Sequence, residues 1–110
     1  MIKISIMYPN TKGTRFDMRY YLDVHMPLAV KALSPHPAFR GISVDRGVSG
    51  VVPGSDATYV AVCHILFETL EDFMAAFAPH APLLQGDIPN YTDTTPIVQV
   101  NEVLISIGAK

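Results

Sequence analysis

The chain has no tryptophan, one cysteine and few charges: charged residues fill 16% of its 110 positions. Each shortage excludes something. An active site that requires an indole is excluded. Cys63 alone cannot form an internal disulfide, and such usage suits a reducing cytosol. The net charge is −2 and no basic cluster exists, so nucleic-acid binding is not expected. No apolar run approaches the roughly 20 residues of a membrane helix. The opening MIKISIMYPN is too short in apolar length for a leader peptide and reads as a strand. Together these features point to a soluble cytoplasmic protein with no membrane partner. The motifs GxGxxG, GxxxxGK, GxSxG and CxxC are absent, so nucleotide cofactors and a serine-hydrolase elbow have no support. His25, His36, His64 and His80 show no HxH or HxxxH pairing. No metal and no cofactor are therefore expected.

What the chain does carry is apolar, 49% of it, enough for one packed domain over residues 1–110. With so little charge, part of that apolar surface is expected to be covered by another subunit. Residues 2–8 alternate Ile2, Ile4, Ile6 and Tyr8 against Lys3, Ser5 and Met7, a strand period. Residues 39–48 form a second strand. Residues 58–67, rich in β-branched and aromatic side chains, form the strongest strand, and 97–107 form the last. A first helix follows Thr14, its expected cap. A second, LEDFMAAFA, follows Thr69 and stops at Pro79, with a short helical turn through His80 to Gly86. The order βαββαβ predicts an α+β ferredoxin-like fold, a four-stranded antiparallel sheet with two helices on one face. The third strand is apolar on both faces: Tyr59, Ala61, Cys63, Ile65 and Phe67 on one, Val60, Val62, His64 and Leu66 on the other. Two helices cover only one face. The other predicts a homodimer whose sheets pack face to face.

The segment FDMRYYLDVHMPL, from Phe16 to Leu28, is the most informative. At about 100° per residue, Met18, Leu22, His25, Ala29 and Ala32 share a face, with Tyr21 and Leu28 beside them. Pro27 removes a backbone hydrogen bond and predicts a kink between Asp23 and Pro27, at His25. An imidazole aimed at an apolar interior either has a private partner or acts in a pocket as a general acid–base. Tyr21, four residues earlier on the same side, is placed to donate to His25 or to a substrate oxygen. Tyr20 is expected at the edge of a cleft and Tyr91 at a cavity mouth. Cys63 and His64 are strand neighbours and face opposite ways, so at most one shares a pocket with His25. His64 is the candidate for contacting substrate, and Cys63 reads as a core residue.

The opening strand ending in Tyr-Pro, FDMRYYLDVHMPL, the central YVAVCHILFETLEDFMAAF and the later DIPNYTDTTPIVQVNEV resemble EthD-family proteins over nearly the whole chain. The resemblance implies a dimeric α+β barrel and favours His25 as a pocket residue. The wider superfamily holds cofactor-free monooxygenases, lactone isomerases, polyketide cyclases and haem-degrading enzymes. The expectation is a small cofactor-independent enzyme, oxidoreductase- or monooxygenase-like. Its substrate would be an apolar, oxygen-bearing metabolite such as a phenol, quinone or lactone. His25 would move a proton and Tyr21 would hydrogen-bond the developing oxyanion. An isomerase or cyclase of lactone or polyketide type would begin the same way. A non-catalytic accessory protein would use the same pocket to hold a hydrophobic ligand. A cavity containing His25 and a second titratable group favours an enzyme. His25 capped by backbone favours binding alone, and a filled core favours neither.

Overall fold

Isoleucine alternation builds a central strand. β1 (Ile2–Pro9) lies between β3 (Tyr59–Phe67) and β4 (Ile97–Glu102), and β2 (Phe39–Arg46) flanks β3 on its far side. In the computed structural model, which describes residues 1–108, the sheet order is β2-β3-β1-β4 and every pairing is antiparallel. This is the ferredoxin-like α+β fold that the element order predicts. Among the described residues, no helix is long and apolar enough to cross a membrane.

The inner sheet face carries Ile4, Tyr8, Ala61, Cys63, Ile65 and Phe67, all buried. Helix α1 spans Met18–Leu33 and packs Tyr21, Met26, Ala29 and Leu33 against them. Helix α2 (Leu70–Phe77) adds Phe73 and Ala76, and the short helix α3 (Ala81–Asp87) adds Leu84. A fully buried Leu, Ile or Phe side chain contributes about 1.5–3 kcal/mol, so this layer supplies the bulk of the stabilisation. The outer face holds Met7, Val60, Val62, His64 and Leu66, and among the described residues no helix covers it.

Helix α1 is composite: α-helical over Met18–Tyr20, π-helical over Tyr21–His25, and α-helical again over Met26–Leu33. The Met26 N–H reaches the Tyr21 carbonyl, five residues back. Pro27 explains the widened turn. It has no N–H to give, and the π turn absorbs the break in the ladder where a kink was expected. The turn also shifts the phase of the helix. Tyr21 is 1% exposed, whereas Leu22, expected to face inward with His25, is 44% exposed. Asp17, not Thr14, caps the helix: its carboxylate accepts from the Tyr20 N–H at 3.0 Å. Thr14 instead donates to the Thr11 carbonyl. Thr69 caps α2 as the sequence predicts, accepting from the Asp72 N–H at 3.1 Å.

The last strand is shorter than its pattern, which ran to residue 107. Glu102 pairs with Ile2, and one further bond runs from the Val103 N–H to the Met1 carbonyl. Beyond it Leu104, Ile105 and Ile107 stand 80% or more exposed.

Candidate active site

Between the helices and the inner sheet face lies a cavity of about 320 Å³. Ile4 and Ile6 of β1 form its floor, and Met26, Ala29 and Leu33 of α1 form one wall. Phe73, Met74 and Phe77 of α2 form another. The exposed Val98 and Val100 belong to its lining too, so it opens beside β4. A volume of this size suits a small-molecule ligand. The lining is almost wholly hydrocarbon and, among the described residues, contains no lysine, arginine or carboxylate. Tyr8, Tyr21, His25 and Cys63 are its titratable groups.

The π turn of α1 delivers His25 to this cavity, with its side chain about 10% exposed. Its ring stacks on Tyr21, centroids 5.6 Å apart and planes within 15°, and lies 4.7 Å from the Tyr91 ring. Tyr8, Phe16, Tyr21 and Tyr91 pack against one another in edge-on and tilted contacts at centroid separations of 5.0–5.8 Å. The Tyr8 and Tyr91 hydroxyls share a hydrogen bond of 2.6 Å. The Tyr21 hydroxyl lies beside Tyr8 and Cys63. Burial pushes the phenols of Tyr8, Tyr21 and Tyr91 above the ordinary tyrosine range. It pushes the Cys63 thiol up to about 11. All four groups are therefore neutral at physiological pH, and the phenols are hydrogen-bond donors.

His25 is not alone. Its Nδ1 lies 2.9 Å from Oδ2 of Asp87, at the end of α3. The other oxygen of Asp87, Oδ1, accepts from the Tyr20 hydroxyl at 2.6 Å and from the Asn90 amide at 2.9 Å. Burial works to raise the Asp87 carboxyl, but the hydrogen bonds from Tyr20, Asn90 and His25 outweigh it and hold the group below its ordinary value. The carboxylate is an anion in a half-apolar setting, stabilised by three donors. Conversely, the Asp87 carboxylate raises the Tyr20 phenol.

The sequence-derived candidates divide. His25 and Tyr21 line the cavity together. Tyr20 stands outside it and binds Asp87. Tyr91 is fully buried behind His25 rather than at a mouth, because its hydroxyl is taken by Tyr8. His64 is the correction. It points to the outer sheet face, its Nδ1 3.0 Å from the Ser5 hydroxyl and its Nε2 3.7 Å from Asp45. Strand alternation gives the cavity side to Cys63 instead. The sequence reading missed Asp87 and Tyr8. Tyr8 carried a signal, as the inward member of an alternating strand. Asp87 carried little: one acid between Leu84 and Ile88, with Asn90 three residues on. No cluster of three potential metal ligands exists among the described residues.

The EthD domain description matches residues 14–95. An EthD-like protein from Ralstonia eutropha JMP134 is 39% identical, with 96% of this chain and 94% of that chain covered and a TM-score of 0.88. An EthD family protein from Bacillus halodurans C-125 is 17% identical, with 94% of this chain and 99% of that chain covered and a TM-score of 0.64. SnoaB, a cofactor-independent oxygenase from Streptomyces nogalater, is 14% identical, with 98% and 97% covered and a TM-score of 0.61, a likeness of fold alone. No curated protein matches the chain. The tyrosine-rich helix that carries His25 falls within the matched span, and the chain belongs to the EthD family.

Proposed function

We propose that the protein is a small enzyme that removes a proton from an apolar, oxygen-bearing metabolite such as a phenol, hydroquinone or lactone, without a bound cofactor. One observation carries this reading: an apolar cavity of about 320 Å³ lined by a histidine whose other ring nitrogen is held by a buried carboxylate. A histidine serving only to line a binding site would be satisfied by a backbone carbonyl. Here the partner is a second titratable group, the arrangement expected of an acid–base pair.

His25 would accept the proton. Tyr21 would donate a hydrogen bond to the oxyanion that forms, and Tyr8 is a second neutral phenol on the same wall. The hydrocarbon lining strengthens both interactions by excluding water. It also supports selection of neutral substrates, since among the described residues no lysine or arginine lines the cavity to pair with a phosphate or carboxylate. The resulting phenolate or enolate is the common entry to oxygenation and to isomerisation. The oxygenase-like fold of SnoaB weighs toward the first.

A second copy is part of the proposal. The uncovered outer face, with Met7, Val60, Val62 and Leu66, fits face-to-face packing in a homodimer.

The experiment is a screen of naphthols, hydroquinones and aryl lactones, read by oxygen uptake and by product isomer, beside a His25→Ala variant. Turnover that His25→Ala abolishes supports the reading. Turnover that persists in the folded variant removes His25 from the mechanism. Saturable binding of these compounds with no turnover would favour an accessory role.

A further inference from the structure

We infer that Asp87, clamped by Tyr20 and Asn90, is a positioning residue that fixes the proton of neutral His25 on Nδ1 and so turns the Nε2 lone pair into the cavity. The inference rests on the reading of His25 as the proton acceptor and deepens it, by naming the atom that reacts and the group that selects it.

The structure divides the two oxygens of Asp87. Oδ1 takes the Tyr20 hydroxyl at 2.6 Å and the Asn90 amide at 2.9 Å, and Oδ2 is left for His25 Nδ1 at 2.9 Å. An ionised carboxylate only accepts, so the hydrogen in the His25 bond must belong to Nδ1. The lone pair of the neutral ring then resides on Nε2. Among the described residues, Nε2 has no hydrogen-bond partner, yet no fully enclosed side-chain nitrogen or oxygen lacks one. Nε2 therefore touches open space, and the ring lines the cavity. A ring flip would exchange the two nitrogens. The Asp87 bond and the stack on Tyr21, at 5.6 Å and 15°, both oppose it.

Asp87 is itself immobilised from two directions. Tyr20 comes from α1, five residues before His25, and Asn90 from the turn after α3. The carboxylate cannot swing toward solvent without losing both. The clamp thus aims Oδ2 as a backbone carbonyl would, but with a full negative charge.

The step balances without an oxidant. A substrate O–H or C–H bond breaks, its proton goes to Nε2, and its electron pair stays on the substrate as a phenolate or enolate. The imidazolium keeps Nδ1–H on Asp87, which offsets the new positive charge. Return of the same proton from Nε2 closes an isomerisation.

The test is long-range proton–nitrogen NMR on the full-length protein labelled with nitrogen-15 histidine, with His25 assigned by the signals lost in His25→Gln. With the ring neutral, wild type should show a pyrrole-type Nδ1 and a pyridine-type Nε2. Tyr20→Phe should keep that pattern, since Asn90 and the charge remain. Asp87→Asn should lose it, with kcat falling about 10²-fold on a substrate from the screen and KM changing little. A wild-type His25 with its proton on Nε2 overturns the inference, and that spectrum needs no variant to fold. An Asp87→Asn protein that keeps both the Nδ1–H form and full kcat overturns it as well. Failure of the enzymatic reading shows elsewhere, as unchanged turnover in His25→Gln.

Discussion

His25 and Asp87 stand 62 positions apart in the chain and meet at 2.9 Å, Nδ1 to Oδ2, with both side chains about 10% exposed. The contact ties the first helix to the end of the third. One ring nitrogen is anchored to charge, in a side chain that also lines the apolar cavity.

Replacing His25 should cost far more activity than stability. His25→Ala is expected to lower turnover by about 10²- to 10⁴-fold, the range for a positioned acid–base group. It strips one donor from Asp87 and leaves two, so the stability loss should be about 1–3 kcal/mol. For a domain of this size that is a fall in Tm of roughly 4–8 °C per kcal/mol. Calorimetry and turnover on the same variant check both. A dyad that was purely structural would reverse the proportions.

Acid should weaken the fold through Asp87. Its carboxyl titrates below its ordinary value in the folded chain, because the hydrogen bonds from Tyr20, Asn90 and His25 outweigh burial. Its contribution is therefore present above the unfolded carboxyl range, near pH 4, and is lost as pH falls through the lower folded value. Urea unfolding of wild type and Asp87→Asn at a series of pH values should show a constant gap above about pH 5 that closes in stronger acid. A gap that widens in acid would contradict the depressed carboxyl.

Alkali should act through the phenols. Tyr8, Tyr21 and Tyr91 are pushed up by burial, and Tyr20 by the carboxylate it binds. Groups raised in the fold stabilise it fully below their unfolded value, near pH 10, and lose that contribution as pH rises. Ultraviolet titration should therefore show these tyrosines ionising late and together with unfolding. Free, independent titration near pH 10 in the intact fold would rule out the buried cluster.

Filling the cavity should separate binding from stability. Ala29 is buried on the cavity wall. Ala29→Phe is expected to abolish calorimetric binding of 2-naphthol while Tm stays level or rises, because the new ring occupies existing space. Unchanged binding would place the ligand elsewhere.

Charge on the outer face should break the pair of copies. Val62 lies mid-strand there, beside Asp45 and Met7. Val62→Asp should convert a dimer to a folded monomer by light scattering at micromolar concentration. A wild type already monomeric at that concentration would remove the proposed interface.

Much of this was legible in advance. Alternation at Ile2, Ile4, Ile6 and Tyr8, the run at 58–67, the Thr69 cap and the prolines carry their own local physics. They suffice for the element order, and the element order suffices for the sheet. The histidine on α1 was legible for the same reason, since helical spacing puts it near Ala29 whatever the details. The π turn was half legible: Pro27 announced a break, but how the chain absorbs a missing N–H depends on what packs around it. That choice moved Leu22 outward and set Tyr21 beneath His25.

What the sequence determined by itself, then, is what neighbours in the chain decide: periodicity, the Thr69 cap, the breaks, the inward histidine and the two-sided third strand. The tertiary structure alone decided which face of that strand meets the cavity, and so gave the place to Cys63 rather than His64. It alone brought Asp87 to His25 and Tyr91 to Tyr8. No local pattern encodes such contacts. A carboxylate becomes the partner of a histidine across 62 positions only when the sheet has been ordered and the helices laid over it. Its charge is then held there by donors that come from two different segments of the chain.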